Sequence, residues 1–345
     1  MGGLTQKQAE EIREELQSCQ RPLFFFHDDP DGFASFLLLY RYVKEGSGVV
    51  VKSHPCVDAK FLSKVKTLEP DKIFIVDIAL LDEEFVSSVK LPIIWIDHHE
   101  PHKIGGVKVY NPRIAKKDNN IPASCLCYEV VKQDLWIAAV GAVGDWFIPD
   151  FLDEFAEQNP TLVEKGITDP PKVMFDTKLG VLIKLFSFVL KGKTEDALKS
   201  AKILTRITSP YEILDQLTPQ GKYLYKRFAK INKKYEELLE SAKKVCNKDD
   251  PLLLYTYSSK DMSFTGDLAN ELLYRFPDKL ILIAREKSGE MRYSLRNSGK
   301  VNLPQLIQKA LVGVEGYGGG HEHACGGSIK IIDFDRFIEN LKDLI

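Results

Sequence analysis

Acidic residues and histidines follow three of the predicted strands, at the point where each strand ends. The runs 23–26, 72–76 and 93–96 are almost entirely apolar, and carboxylates or imidazoles come directly after each of them. These residues are His27, Asp29, Asp31, Asp77, Asp97, His98 and His99. Because ligands bind outside the carboxyl ends of parallel strands, we expect these side chains to converge in one crevice. Asp145, within GAVGDW, is a further carboxylate between apolar residues.

Divalent cations are the natural partners of such a crevice. Several carboxylates held together repel each other and lose hydration, and cations would neutralise them. A set of Asp and His without Cys favours Mn²⁺, then Mg²⁺ or Co²⁺, and least of all structural Zn²⁺. Five or more ligands are enough for two ions about 3.5–4 Å apart, bridged by one carboxylate. Such a pair lowers the pKa of a bound water and clamps a phosphoryl group, which predicts hydrolysis of a phosphoester or phosphoanhydride.

Each motif also has an ordinary structural explanation. Asp-Pro-Asp-Gly at 29–32 is typical of a turn, Asp77 could cap a helix, and the pair His98-His99 could lie in a solvated loop. These explanations do not account for the motifs together, because every charged group follows a buried apolar run of the same predicted sheet. We therefore favour the metal site.

The elements that must position these residues alternate between strands and helices. The predicted strands 23–26, 49–53, 72–77 and 93–97 alternate with helical patterns at 33–46, 61–68 and 82–90. This alternation predicts a parallel sheet with crossover helices. The strands are almost continuously apolar, which indicates that both faces of the sheet are covered.

The pattern changes twice along the 345 residues, a length typical of about two domains. From about residue 121 the chain reads as mainly helical, and it includes a long charged helical stretch at 221–245. The segment CNKDDP at 246–251 breaks this pattern, and a second α/β unit follows. That unit ends with a Gly-rich segment, VEGYGGGHEHACGGS at 314–328, which we predict to be a loop.

Composition excludes several classes of protein. Apolar residues make up 44% and charged residues 28% of the chain, which is ordinary globular usage and excludes disorder and fibrous repeats. The 47 Lys and Arg against 49 Asp and Glu argue against a nucleic-acid binder that relies on bulk positive charge, although a local basic groove stays open. Six Cys are too few for a disulfide scaffold and fit a reducing setting.

We expect a soluble, cytoplasmic protein that does not engage a membrane. The N-terminal residues are charged and lack the apolar core of a signal peptide. The longest apolar stretch, 179–190, contains Lys184 and is shorter than the ~20 residues that a bilayer span needs.

The motifs HDDPDG at 27–32, VD at 76–77, IDHHEP at 96–101 and GAVGDW at 141–146 resemble, in this order, the four motifs of the DHH phosphoesterase superfamily. GGGHEHACGG at 318–327 resembles the Gly-Gly-Gly-His signature of the DHH-associated C-terminal domain. The resemblance covers nearly the whole chain. It implies an α/β protein with a parallel-sheet DHH catalytic domain at 1–150, a helical insert or connector at 151–248 and a smaller α/β substrate-binding domain at 249–345. The active-site cleft would lie between the two α/β domains.

The resemblance also implies a two-metal centre. The six ligands that match the family's motifs are His27, Asp29, Asp31, Asp77, His98 and Asp145. The first two would bind one ion, Asp77 would bridge both ions, and the other three would bind the second ion. Manganese is the expected metal, with Mg²⁺ or Co²⁺ as alternatives.

Further residues match positions that act on the substrate. His99 would contact the scissile phosphate or act as an acid, and Asp97 would orient a histidine by accepting its N–H. In the C-terminal domain, Gly318–Gly320 would bring backbone N–H groups to a phosphate or a nucleotide end, with His321 beside them. Arg296 resembles a phosphate-contacting arginine, although a surface position at a strand edge is nearly as good an interpretation.

Families of this two-domain plan act on several substrates, and the insert favours one of them. Basic residues of the stretch 221–245 alternate with aromatic side chains that could stack on bases. They are Lys222, Tyr223, Tyr225, Lys226, Arg227, Phe228, Lys230, Lys233 and Lys234. A solvated helix face with aromatic core contacts is the competing interpretation. The insert favours an archaeal-type RecJ-like exonuclease that hydrolyses single-stranded DNA or RNA from an end and releases mononucleotides.

Two alternatives stay open at this point. The first is a hydrolase of short oligoribonucleotides or nucleotides, or a cyclic dinucleotide phosphodiesterase. The second is of another class, a replication or repair scaffold bound to a helicase or another replisome protein. The expected partners are accordingly single-stranded nucleic acid or short oligonucleotides, and a replication or repair helicase. An inactive family member is disfavoured, because every implied ligand is present.

Overall fold

The computed structural model describes residues 2–52, 56–258, 262–299 and 301–345. The chain divides into two compact units, Met1–Phe228 and Ala229–Ile345. Each unit has its own five-stranded sheet.

The sheet of the first unit is parallel throughout, as the alternating pattern predicts. Its strands have the spatial order β2-β1-β4-β6-β7, and two further short strands, β3 and β5, pair with each other. The strands are β1 Pro22–His27, β2 Ser47–Val51, β3 Cys56–Val57, β4 Lys72–Val76, β5 Leu80–Leu81, β6 Ile93–Ile96 and β7 Val107–Tyr110.

Helices cover both faces of this sheet. On one face Phe26 of β1 stacks on Phe36, with ring centroids 4.5 Å apart. On the other face Phe25, Ile75 and Trp95 belong to a second buried cluster. The helices are α1 Gln6–Gln17, α2 Pro30–Val43, α3 Leu62–Leu68, α4 Glu83–Val89, α5 Ala123–Val131, α6 Leu135–Gly144, α7 Leu152–Gln158, α8 Pro170–Asp176, α9 Lys178–Val189, α10 Thr194–Leu204, α11 Pro210–Leu214 and α12 Pro219–Lys244. Two-sided burial explains why the strand sequences are apolar at every position.

The long helix α12 carries the basic and aromatic residues of the insert, and its two kinds of side chain differ in exposure. The lysines at 222, 226, 230, 233 and 234 are exposed. Phe228, by contrast, is only 5% exposed and packs against Phe188. Arg227 donates to the carbonyl oxygens of Val189 and Lys191. Phe228 is therefore a core residue and not a stacking platform.

The second unit is a mixed sheet covered by three helices. Its strands are β8 Leu252–Ser258, β9 Leu280–Lys287, β10 Glu290–Arg296, β11 Gly316–His321 and β12 Ala324–Lys330, and its helices are α13 Thr265–Arg275, α14 Leu303–Ala310 and α15 Phe334–Lys342. The spatial order is β11-β12-β10-β9-β8, in which β8 and β9 are parallel and the other neighbours antiparallel. The prediction of a second, smaller α/β unit is confirmed.

The Gly-rich segment differs from its predicted form. Gly318–Gly320 belong to the edge strand β11 and pair with 325–327 of β12, so the segment is a hairpin and not a loop. Close packing explains Gly318: a Cβ atom there would overlap the hydroxyl of Tyr293. Gly319, in contrast, has open space where a Cβ would lie. Ladder hydrogen bonds use only the backbone, so a run of glycines can continue a strand wherever the neighbouring side chain requires it.

Within the described parts of the chain, every helix is too short or too polar to cross a membrane.

The packing of Gly318 against Tyr293 gives a stability prediction. We expect Gly318→Ala to lower the free energy of unfolding by about 1–3 kcal/mol, because the added methyl group forces the tyrosine ring to move. The Tyr293 hydroxyl is buried and has no hydrogen-bond partner among the described residues, so Tyr293→Phe should be neutral or stabilising and should rescue the alanine variant. Denaturant unfolding of the single and double variants measures both effects.

Gly319→Ala is the matched control, because it adds the same methyl group to the same strand in open space. Its stability should stay within about 0.5 kcal/mol of wild type. Equal losses at the two glycines, or no rescue by Tyr293→Phe, would contradict the packing explanation.

Candidate metal centre

The end of β1 and the start of α2 together hold the first two predicted ligands. Asp29 is the N-cap of α2, where its Oδ1 accepts from the backbone N–H of Gly32 at 2.9 Å. Its other oxygen, Oδ2, accepts from His27 Nδ1 at 2.6 Å. Gly32 lies directly against the His27 backbone, where any Cβ would come within 2.7 Å of the His27 nitrogen. The order His-x-Asp-x-x-Gly thus produces a tight strand-to-helix turn that aims both side chains at the sheet edge.

Asp77 occupies the position directly after β4 and is the most constrained of the predicted ligands. It is 1% exposed and has a φ of 54°, a left-handed conformation that costs energy for a residue other than glycine. Two hydrogen bonds fix this bend: Asp77 N–H donates to the Ile96 carbonyl at 3.1 Å, and the indole of Trp95 donates to the Ile78 carbonyl at 2.9 Å. The neighbouring strand β6 therefore holds Asp77 in place.

The residues that follow β6 divide into an inward and an outward histidine. His98 is buried, and its Nε2 lies 3.3 Å from Asp77 Oδ1 and 3.7 Å from Asp145 Oδ2. The side chain of His99 is 36% exposed, and its Nδ1 donates to Asp97 Oδ1 at 2.8 Å. The other oxygen of Asp97 accepts from the His99 backbone N–H at 3.0 Å. Asp97 therefore fixes both the backbone and the ring of His99.

Asp31 and Asp145 complete the centre from two helices. Asp31 lies in the first turn of α2 and is 1% exposed, and its two oxygens accept from the backbone N–H groups of Ala123 and Ser124 at 2.8 and 2.9 Å. Those donors are the first residues of α5, whose N-cap Pro122 offers no side-chain cap. The carboxylate of Asp31 therefore lies at the positive, N-terminal end of the α5 helix dipole. Asp145 is the C-cap of α6, with 30% of its side chain exposed.

The ligand atoms of these residues form three sets, and within each set all atoms lie within 4.8 Å of one another. The sets are His27, Asp29 and Asp77; Asp31, His98 and Asp145; and Asp77, His98 and His99. Asp77 and His98 each belong to two sets, so the three sets form one continuous cluster. The structure therefore brings together all six predicted ligands, and adds His99 to them.

The electrostatics of this cluster show that its negative charge is in excess. Burial, together with the charges of Asp77 and Asp145, raises the pKa of Asp31 well above its usual range. Burial likewise raises the pKa of Asp145. Burial opposes the charged form of His27, but the nearby carboxylates more than offset it and raise the pKa of His27 to about 12. Burial opposes the ionisation of Asp29, but the neighbouring imidazole of His27 more than offsets it and lowers the pKa of that carboxyl. The cluster thus draws protons onto Asp31, Asp145 and His27.

A metal ion fits this arrangement on two observations. Asp77 Oδ2 is buried and accepts no hydrogen bond from any described residue, which leaves a carboxylate oxygen unsatisfied at the centre of the cluster. The three sets contain carboxylates and imidazoles and no thiolate, a donor set that suits Mn²⁺, Mg²⁺ or Co²⁺. These ions would replace the protons that the cluster otherwise attracts.

Two asparagines that the sequence did not single out also contact the centre. Asn120 Oδ1 accepts from His98 Nδ1 at 3.2 Å, which directs the other ring nitrogen toward Asp77 and Asp145. Asn111 donates its Nδ2 proton to the His99 carbonyl at 2.9 Å. Only the Asn-Pro pair after β7 gave a local signal, because asparagine at that point is typical of a turn.

The predicted substrate residues of the C-terminal domain all lie in the second unit. His321 ends β11 and is exposed, next to Gly318–Gly320 on the same edge strand. Arg296 ends β10, and its guanidinium donates to Asn270 Oδ1 at 2.7 Å and to the carbonyl of Cys325 at 3.1 Å. Arg296 is therefore braced by its own domain and not loose at the surface.

Two domain models match the chain. The DHH family N-terminal domain matches residues 23–143, and the DHHA1 domain matches residues 250–345. Together the two matched segments make up more than half of the chain. No curated protein sequence matches it significantly.

Solved structures resemble the chain over nearly its whole length at low sequence identity. RecJ from Thermus thermophilus in complex with Mn²⁺ is 15% identical with a TM-score of 0.67, and the match covers 98% of this chain and 54% of that one. A manganese-bound structure of exonuclease RecJ is 15% identical with a TM-score of 0.60, covering 100% and 96%. PggH from Vibrio cholerae, a pGpG-specific phosphodiesterase, is 17% identical with a TM-score of 0.52, covering 94% and 98%. The chain spans about half the length of the Thermus protein, and these likenesses establish a shared fold.

The contact between Asn120 and His98 predicts a loss of metal affinity. We expect Asn120→Ala to weaken Mn²⁺ binding about tenfold, because the imidazole loses the group that fixes its orientation. Titration calorimetry of the metal-free protein measures this change. Asn119→Ala on the same loop is the matched control and should bind like wild type. Unchanged affinity in Asn120→Ala would show that water replaces the asparagine without loss.

Proposed function

The chain belongs to the DHH superfamily and carries a C-terminal DHHA1 domain, and from this premise we propose that it is a metal-dependent phosphodiesterase. We propose more specifically a RecJ-like exonuclease that hydrolyses single-stranded DNA or RNA from an end and releases mononucleotides. The observation that carries the proposal is Asp77, a buried carboxylate with one oxygen left unsatisfied, which shares a ligand set with His27 and Asp29 and lies 3.3 Å from His98 of the set that also contains Asp31 and Asp145. A shared carboxylate between two sets is what a two-ion centre requires.

The six ligands would hold two Mn²⁺ ions, with Mg²⁺ or Co²⁺ as alternatives. His27 and Asp29 would hold one, Asp31, His98 and Asp145 the other, and Asp77 would touch both. When bound, such a pair supplies an activated water at neutral pH and neutralises charge on the phosphoryl group.

The remaining polar residues of the centre would act on the substrate directly. His99 is more exposed than His98, so it is the histidine that can reach a phosphate. Asp97 accepts a hydrogen bond from Nδ1 of His99. The other ring nitrogen of His99, Nε2, is then left to contact the scissile phosphate or to protonate the leaving oxygen. Burial opposes the imidazolium, but the carboxylate of Asp97 raises the pKa of His99, which favours the acid form needed for that role.

The second unit and helix α12 would bind the rest of the strand. Among the residues that the structure describes, no strand pairs with the outer side of the edge strand β11. Backbone N–H groups near Gly319 and the imidazole of His321 therefore suit a terminal phosphate. Arg296 would add positive charge from β10, which is separated from β11 by β12. The exposed lysines of α12 would follow the phosphate backbone.

A hydrolase of short oligonucleotides is the second candidate, and one observation favours it. The structural match covers 98% of the pGpG-specific phosphodiesterase PggH. The same two-domain fold therefore suits a short substrate as well as a strand end. Substrate length distinguishes the two candidates.

The role of Asp77 predicts the largest single effect in the centre. We expect Asp77→Asn to retain less than about a tenth of the wild-type rate, because a lost ligand costs several kcal/mol of transition-state stabilisation. The metal-free variant should be at least as stable as wild type, since the substitution removes one of several repelling buried charges. Steady-state hydrolysis with Mn²⁺ and thermal unfolding in chelator measure the two properties.

Asp169→Asn serves as the control for that variant, because Asp169 is an exposed carboxylate outside the three ligand sets. It should keep most of the wild-type rate. If Asp77→Asn were as active as this control, Asp77 would not bridge two ions.

An exonuclease and a short-oligonucleotide hydrolase predict different products. With Mn²⁺, end-labelled single strands should shorten stepwise to mononucleotides, and circular single strands of the same sequence should resist. Excess chelator should stop all hydrolysis. A rate that falls steeply beyond a few nucleotides would favour the second candidate, and rapid cutting of circles would contradict both.

A further inference from the structure

The first unit contains a cavity of about 820 Å³ that the proposed mechanism leaves unassigned. It extends from the metal centre, because Asp145 and Asn120 both line it. Four aromatic side chains also line it, namely Tyr128, Trp146, Phe147 and Phe151. The volume lies within the range of small-molecule sites and is large enough for one nucleoside.

Two residues of this wall, Lys132 and Trp146, have a left-handed backbone, and Trp146 is the aromatic one. It has a φ of 61°, so it adopts the left-handed conformation that ends helix α6. The backbone N–H of Trp146 donates to the Val143 carbonyl at 3.0 Å, and the backbone N–H of Phe147 donates to the Ala142 carbonyl at 3.1 Å. Glycine is the residue that suits this position at a helix end, and a bulky side chain there is strained.

The strain at Trp146 is not explained by burial of the indole. The residue is 40% exposed, and its ring meets the edge of Phe175 at a centroid distance of 6.2 Å. The other two tryptophans of the chain, Trp95 and Trp136, are buried. A strained, exposed aromatic residue directly after a candidate metal ligand is typical of a functional position.

The charge of the cavity selects the kind of ligand. Lys116 and Lys132 line it, and the ammonium of Lys132 lies 5.3 Å from the centre of the Tyr128 ring. More carboxylates than lysines face the same space, namely Asp118, Glu129, Asp145, Asp150 and Glu154. Such a surface repels phosphate and suits an uncharged planar group that can stack on an aromatic ring.

We propose that this cavity binds the base of the nucleotide at the scissile phosphate, stacked on the indole of Trp146. The phosphate of that nucleotide would lie on the Asp145 side, where the cavity meets the metal centre. This inference rests on the proposed function, since it assigns a nucleic-acid substrate to the same centre. Trp146 is then a residue that positions the substrate and accepts any of the bases, because every base has a face to stack.

The test compares ordinary single strands with strands whose terminal nucleotide lacks its base, prepared at each end in turn. Trp146→Gly relieves the backbone strain and removes the stacking surface. It should lower kcat/KM on ordinary strands about tenfold or more, and should leave kcat/KM on the abasic strands unchanged. Trp146→Phe retains an aromatic face and should keep most of the wild-type rate on both.

Two outcomes would overturn the proposal. Equal losses on ordinary and abasic strands would show that Trp146 acts by holding Asp145, and no loss on either would show that no base lies against it. Thermal unfolding is measured in parallel, because the glycine variant should melt at or above the wild-type temperature.

Equilibrium binding separates this inference from the proposed function. Since the other tryptophans are buried, adenosine in the millimolar range should quench the fluorescence of the metal-free protein, and Trp146→Phe should abolish the quenching. Quenching without hydrolysis of any strand would contradict the exonuclease and retain the base site. Absence of quenching in the wild-type protein would overturn the base site even if strands are hydrolysed.

Discussion

The first unit depends on how it tolerates three carboxylates that approach each other at the end of one sheet. Asp31 and Asp77 are almost fully buried, and Asp145 joins them through the imidazole of His98. Buried carboxylates that lie close to one another are among the most costly arrangements in a protein. The backbone around the cluster is correspondingly specialised, and the divalent cations that we propose would offset the remaining repulsion.

The carboxylates of the cluster are held in place mainly by backbone groups, and less by side chains. Asp31 is held by the first two N–H groups of α5, Asp29 caps α2, and Asp77 sits on a left-handed residue that β6 fixes by hydrogen bonds. Backbone donors add partial positive charge without adding competing ligands. Rigid strands and helix ends therefore position the ligands, and the loops contribute mainly the orienting group on His98.

The sequence was sufficient for the parallel sheet and for the convergence of the predicted ligands, because charged residues that directly follow the strands of one parallel sheet all lie at the same edge of that sheet. It was not sufficient for Asn120, a lone polar residue in a loop whose importance arises from a contact with His98 across 22 positions. The strand character of Gly318–Gly320 also escaped prediction. Glycine by itself favours turns. Only the contact with Tyr293, on another strand, explains why the strand needs glycine at position 318. Phe228 shows the same principle, since its burial depends on α9 and not on its own helix.

The central claim is that the ligand sets around Asp77 hold two divalent cations. Anomalous diffraction from crystals grown with Mn²⁺ tests this claim directly. We expect two peaks about 3.5–4 Å apart, one beside His27 and Asp29, the other beside Asp31, His98 and Asp145, with Asp77 between them. A single peak, peaks elsewhere on the chain, or no peak at saturating Mn²⁺ would contradict it.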